Sequence, residues 1–184
     1  MSTETPDGIA VYAGSADDIR PEYIEAAHII GAEIARRGLT TVNGGGNMGL
    51  MRETIDGALA AGGHTIGVLP QFMMEKDWDH KGLTECRVVS SMHERKATMA
   101  ALSRGVIALP GGIGTFEEIT EMMTWRKLGL FHGNVVILNI CGFYDPLLEM
   151  FRRAESEHFM KPNLAFVTAD PVEAVAIAAA PFKA

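Results

Sequence analysis

An α/β domain built on a parallel sheet with helices on both faces is the fold class this sequence predicts. Three observations predict it. Short β-branched or aliphatic runs alternate with longer helical patterns along the chain. The runs are continuously apolar rather than alternating, as strands covered on both faces are. Loops rich in glycine or charge recur where those strands give way to helices. A repeated β-α order implies a doubly wound, Rossmann-like single domain over residues 1–184, with residues 1–7 expected to be flexible.

The elements follow in order. Strand Ile9–Ala13 comes after a polar, acidic start. Pro21 suits a first helical turn and opens a helix to Arg37, with Gly38 as its stop. Strand Thr40–Asn43 leads through a glycine run to helix Met48–Ala61, and strand Thr65–Leu69 follows. Strand Arg87–Val89 precedes helix Met92–Ser103, and strand Val106–Leu109 precedes helix Thr115–Leu128. Strand Val135–Asn139, helix Tyr144–Glu157, strand Ala165–Thr168 and a helix Pro171–Ala179, again opened by proline, complete the pattern.

Composition narrows the function classes. With 184 residues, 47% hydrophobic and 21% charged, the chain is of ordinary globular make-up. A net charge of −7 argues against nonspecific nucleic-acid binding, which needs clustered Lys and Arg, but not against a single nucleotide. Cys86 and Cys141 lie far apart with no metal-ligand spacing, so free thiols are the simpler reading and no metal site is expected. No signal-peptide pattern and no membrane-length apolar run is present, so a cytoplasmic protein without a membrane partner is expected.

In doubly wound folds ligands sit outside the carboxyl ends of the strands. Four loops leave strand ends there: Ala13-Gly14-Ser15, Asn43 to Gly49, Met92 to Lys96, and Pro110 to Thr115. In the last, Gly111, Gly112 and Gly114 let a ligand approach the backbone, and a helix start presents free N–H groups to an anion. The alternative is a tight connection with no ligand. The turn is neither a dinucleotide fingerprint nor a triphosphate loop. Gly44-Gly45-Gly46 also suggests close backbone approach, or simply a flexible turn.

Glu118 has two readings. Thr115-x-x-Glu118 has capping-box spacing. Helical projection also turns Glu118 toward the apolar side with Ile119, whereas Glu117 points outward beside Thr120 and Thr124 and reads as solvated. A partly buried carboxylate at a strand-end crevice is a candidate catalytic group. Arg95 projects beside Met92, Met99 and Leu102, with Lys96 on the other flank. A guanidinium there needs a partner, and Glu118 or a phosphate would serve. Asp77, Asp79 and His80 read as solvated loop charges rather than metal ligands.

Together these pieces resemble the Lonely Guy family of cytokinin-activating phosphoribohydrolases, often labelled lysine decarboxylases. The resemblance runs through Val-Tyr-Ala-Gly-Ser at 11–15, Asn-Gly-Gly-Gly-Asn-Met-Gly-Leu-Met at 43–51, Ile-Gly-Val-Leu-Pro at 66–70, Met-His-Glu-Arg-Lys at 92–96, Ala-Leu-Pro-Gly-Gly-Ile-Gly-Thr-Phe-Glu-Glu at 108–118 and Thr-Trp-Arg-Lys-Leu-Gly at 124–129. It implies a homodimer that cleaves cytokinin riboside 5′-monophosphates, and often AMP, without a cofactor. It implies Arg95 and Glu118 as the catalytic pair. It places Lys96, Gly112, Ile113, Gly114, Thr115 and Thr124 at the nucleotide, beside the loop residues Gly14, Ser15, Gly45, Gly46 and Gly111. Asp77 stands where the family usually has Glu, near the base or sugar, and Asn43 where Tyr is frequent; these are expected to tune the pocket. Met122, Met123, Trp125 and Leu128 offer apolar surface for the dimer.

Three rival readings share the fold or its label. A nonhydrolytic nucleotide or pterin-cofactor carrier predicts binding without release of base. A decarboxylase needs a Schiff-base lysine, for which Lys96 is the one candidate near the site. A single-strand nucleic-acid binder is disfavoured by the acidic balance.

Overall fold

The computed structural model describes residues 7–182. Strands β1 (Gly8–Tyr12), β2 (Thr40–Asn43), β3 (Thr65–Pro70), β4 (Glu85–Val89), β5 (Ser103–Ala108), β6 (Asn134–Leu138) and β7 (Phe166–Thr168) form one sheet in the order β4-β3-β2-β1-β5-β6-β7, every pair parallel. The chain winds from β1 to one edge, returns to place β5 beside β1, and winds to the other edge. The order therefore reverses between β1 and β5, where such folds open a crevice.

Helices α1 (Pro21–Arg36), α2 (Gly49–Ala60) and α7 (Pro171–Ala179) cover one face. Helices α4 (Met92–Ala101), α5 (Ile113–Leu128) and α6 (Asp145–Ser156) lie on the other, and α3 (Gln71–Met74) is a single turn after β3. Neighbouring strand residues feed opposite layers: Ile9 and Val11 pack under α1, while Ala10 and Tyr12 pack under α4 and α5. Every residue of β1, β2, β3 and β6 is buried, because helices cover both faces of the sheet, and this accounts for the apolar runs of β1 and β6.

The differences from the sequence expectations have physical causes. β4 starts at Glu85 rather than Arg87; it is an edge strand whose outer residues meet water, so Glu85 and Cys86 need not be apolar to pair with Ile66 and Gly67. Helix α5 starts at Ile113 with Gly112 as its N-cap, so Thr115 lies in the first turn and is not the cap. Glu118 is thereby released from the capping-box reading. Met122 and Met123 are buried in the chain's own core, which removes them from any intermolecular surface. Of the stretch expected to be flexible, residues 1–6 lie outside the described residues, and the Asp7 carbonyl accepts a hydrogen bond from the Thr40 N–H at 3.1 Å.

Candidate functional site

The site grows from the two strands at the reversal. The Gly14 N–H donates to the Pro110 carbonyl at 3.0 Å, joining the β1 loop to the β5 turn. The Gly14 carbonyl accepts from the Leu50 N–H at 2.9 Å, and Asp17 Oδ1 from the Gly49 N–H at 3.0 Å, so the same loop is tied to the start of α2. Gly111 must be glycine: a Cβ there would stand 2.1 Å from Thr115 Oγ1 and 3.0 Å from the Gly14 nitrogen. Past it, no side chain among the described residues caps the first turn of α5. Its N–H groups are left for an anion, aided by the positive helix end.

The second loop is built around Asn43, which is buried. Asn43 Oδ1 accepts from the Gly45 N–H at 2.8 Å, and Nδ2 donates to the Met51 carbonyl at 3.0 Å. An Asn that turns the backbone onto its own side chain before glycines is a recognisable signal, and it gives Asn43 a role in shaping this loop.

Arg95 is buried beneath that loop. Its Nε donates to the Val68 carbonyl at 2.9 Å and its Nη2 to the Gly44 carbonyl at 3.1 Å. Gly44 is a second position closed to side chains, because a Cβ would stand 1.7 Å from Arg95 Nη2. The remaining Nη1 lies 3.6 Å from Glu118 Oε1. The Glu118 side chain is 12% exposed and that of Glu117 54%. Burial dominates the Glu118 environment and raises its carboxyl to about 7, against the opposing pull of Arg95. The group therefore titrates near neutrality, in the range suited to general acid–base work. Tyr12 and Tyr144, held neutral first by burial and then by the Glu118 charge, flank the same region.

Glu117 is not merely solvated. It pairs with the buried Lys96, whose ammonium also lies 3.1 Å from Glu121. Burial works against the Lys96 charge, but the two carboxylates outweigh it and leave its pKa raised. A protonated amine held this way is no Schiff-base nucleophile. Ser91 caps α4, its Oγ accepting from the Glu94 N–H, and the Glu94 carboxylate accepts from the N–H and hydroxyl of Ser90, the residue before the cap.

The four loops converge on one cavity of about 490 Å³, within the usual range for small-molecule sites. Arg95, Glu118, Gly14, Ser15, Gly46, Gly112, Ile113, Gly114 and Thr115 line it. Five residues singled out in the sequence lie off its wall. Gly45 packs on Leu69 and Gly67 of β3. Gly111 lines an adjoining hollow beside Tyr23 and Phe143. Lys96 is engaged with Glu117 and Glu121, and the Thr124 hydroxyl donates to the Thr120 carbonyl. Asp77 is exposed and bridged to Asp79 by Lys81 Nζ, at 2.6 and 2.8 Å, while His80 Nε2 meets Asp56 Oδ1 at 3.0 Å. Among the described residues, no group of three or more His, Cys, Asp or Glu could hold a metal ion. An apolar wall of Met48, Met51, Leu69, Met73, Trp78 and Met92 completes the cavity. Its members come from β3, α3, the loop after α3 and the starts of α2 and α4, and show no sequence periodicity.

Fold and site define a class: a doubly wound α/β domain with a small-molecule cavity, an uncapped helix start at one wall and a buried carboxylate–guanidinium pair within. The family model described as "Possible lysine decarboxylase" matches residues 51–177. The chain is 44% identical over 152 residues to the cytokinin riboside 5′-monophosphate phosphoribohydrolase LOG of Oryza sativa subsp. japonica, covering 83% of this chain and 63% of that protein. It is 42% identical over 159 residues to the cytokinin riboside 5′-monophosphate phosphoribohydrolase of Rhodococcoides fascians, covering 86% and 80%. Among solved structures, the molybdenum cofactor carrier protein of Chlamydomonas reinhardtii is similar, with a TM-score of 0.72 and 27% identity over 94% of this chain and 95% of that one. The chain belongs to the family that the lysine decarboxylase model describes and that holds these phosphoribohydrolases.

Proposed function

We infer that the protein hydrolyses the N-glycosidic bond of nucleoside 5′-monophosphates, cytokinin riboside 5′-monophosphates and AMP among them, to free base and ribose 5-phosphate. The observation that carries this reading is Glu118: a buried carboxylate beside Arg95, in the cavity that the α5 helix start opens onto. The 5′-phosphate rests on the N–H groups of Ile113, Gly114 and Thr115, and holding it there positions the sugar. As the bond to the base breaks, positive charge develops on the sugar, and the Glu118 carboxylate stabilises it or takes a proton from the attacking water. The water oxygen bonds to the sugar carbon, and the base leaves with the bonding electron pair and is protonated. Arg95 keeps Glu118 oriented and assists departure of the negative base.

Chromatography of products after incubation with AMP and with N6-isopentenyl AMP tests the reading. Release of base with ribose 5-phosphate supports it. The likeness to a molybdenum cofactor carrier favours a second reading, a nonhydrolytic carrier; tight binding of nucleotide without release of base would decide for that.

The working unit proposed is a homodimer. Ile113 exposes an apolar side chain at the cavity end of α5, and Leu128 and Leu130 do so at and just past its opposite end. Light scattering at a monomer mass, at micromolar protein, would overturn it. A reducing cytoplasmic setting suits the two free thiols, Cys86 and Cys141.

A further inference from the structure

The strand order sets the direction in which a ligand lies. The uncapped turn follows β5, the Arg95 guanidinium is bonded to the carbonyls of Gly44 after β2 and Val68 in β3, and Met73 and Trp78 follow β3. Three strand spacings separate β5 from β3, roughly 14 Å at about 4.8 Å each. A ligand whose anion sits on α5 and whose reacting bond sits by Glu118 therefore extends its far end toward the loop after β3.

That loop presents an indole. Trp78 lines the cavity while remaining 47% exposed, and Lys76 Nζ lies 4.7 Å from the centre of its ring. The backbone beneath it is fixed. The Trp78 carbonyl accepts from the Asn47 N–H at 2.9 Å, the Trp78 N–H donates to the Met73 carbonyl at 3.2 Å, and the His80 N–H donates to the Gly45 carbonyl at 2.9 Å. A large aromatic side chain is thus left half-solvated on a braced loop, at the apolar end of the cavity.

We propose that Trp78 is the platform on which the purine base stacks, and so a specificity-determining residue, with Met48, Met73 and Met92 accommodating an apolar substituent on that base. The inference rests on the proposed nucleotide reading and adds the residue that selects the base. Aromatic faces stack on bases, and thioethers pack adaptably against aromatic and apolar groups. Stacking is present before and during bond cleavage, so its loss falls on KM rather than kcat.

The test compares the wild-type chain with Trp78→Phe and Trp78→Ala in three measurements. KM for AMP and for N6-isopentenyl AMP should rise about 5- to 150-fold in Trp78→Ala, the range carried by one base–aromatic stack, and recover in Trp78→Phe. Inhibition by ribose 5-phosphate, which has no base, should be unchanged in both variants. Tryptophan fluorescence should be quenched by nucleotide in the wild type and not in Trp78→Phe. An inhibition constant for ribose 5-phosphate that weakens in step with KM would make Trp78 a brace of its loop and overturn the proposal. So would an unchanged KM, or an unquenched indole. Quenching without release of base would keep Trp78 as the platform and remove the hydrolase reading; release of base without quenching would do the reverse.

Discussion

Arg95 spends two of its three guanidinium nitrogens on backbone carbonyls, those of Val68 and Gly44, and turns the third to Glu118 at 3.6 Å. The arginine is fixed by the ends of two strands before it meets the carboxylate, so the pair's geometry is set by the sheet. Glu118→Gln keeps the shape and removes the charge. It should lower turnover of AMP at least about 10²-fold with a normal circular dichroism spectrum. Turnover near the wild-type rate would remove Glu118 from the chemistry.

The pH dependence follows from the same group. A carboxylate that must be ionised to act, and that titrates at about 7, gives a rate that falls as pH drops below neutrality. A rate–pH profile flat from pH 5 to 8 would contradict this.

Stability should run the other way. Glu118 holds its proton more tightly folded than unfolded, so its contribution is fully present below about pH 4.5 and is lost as pH rises through about 7. Glu118→Gln lacks that loss. Its stability relative to wild type should improve across this window, by up to about 3 kcal/mol at about 1.4 kcal/mol per pH unit. Urea titrations at pH 4.5 and 8 measure the difference.

Neighbouring charges should move the rate midpoint in opposite directions. Arg95 and Lys96 lower the Glu118 pKa and Glu117 raises it. Lys96→Met should shift the midpoint up, and Glu117→Gln should shift it down. Profiles of kcat/KM read the midpoint, while KM for the nucleotide separates direct contact by Lys96 from action through Glu118. A midpoint that moves the same way in both variants would refute the electrostatic account.

Gly44→Ala tests the packing. Its Cβ would occupy the place of Arg95 Nη2, so the guanidinium must leave the Gly44 carbonyl. The expected cost is about 1–3 kcal/mol of stability, with loss of AMP turnover. Differential scanning calorimetry and a turnover assay would show both; wild-type values in each would mean the loop yields easily.

The amino-acid sequence by itself determined the order and kind of the main elements, because continuous apolar runs and helical periodicity are local consequences of burial on one or both faces. It also determined that Glu118 is the more buried of the two carboxylates, since both sit on one helix and 100° per residue separates their directions, but not that Glu117 reaches the buried Lys96 and lines the same cavity. The first turn of α5 was less legible: Thr115 has the spacing of a cap, yet the chain enters the helix at Gly112 because the turn is tied to Gly14 from another loop. Only the tertiary structure decided the partners. Lys96 meets Glu117 and Glu121 rather than the cavity, Arg95 is anchored on two strands far from it in sequence, and Trp78 comes to the cavity from a loop without periodicity. The reason is physical: direction along a helix is set by neighbours in the chain, whereas the partner of a charge is set by which strands the sheet places side by side.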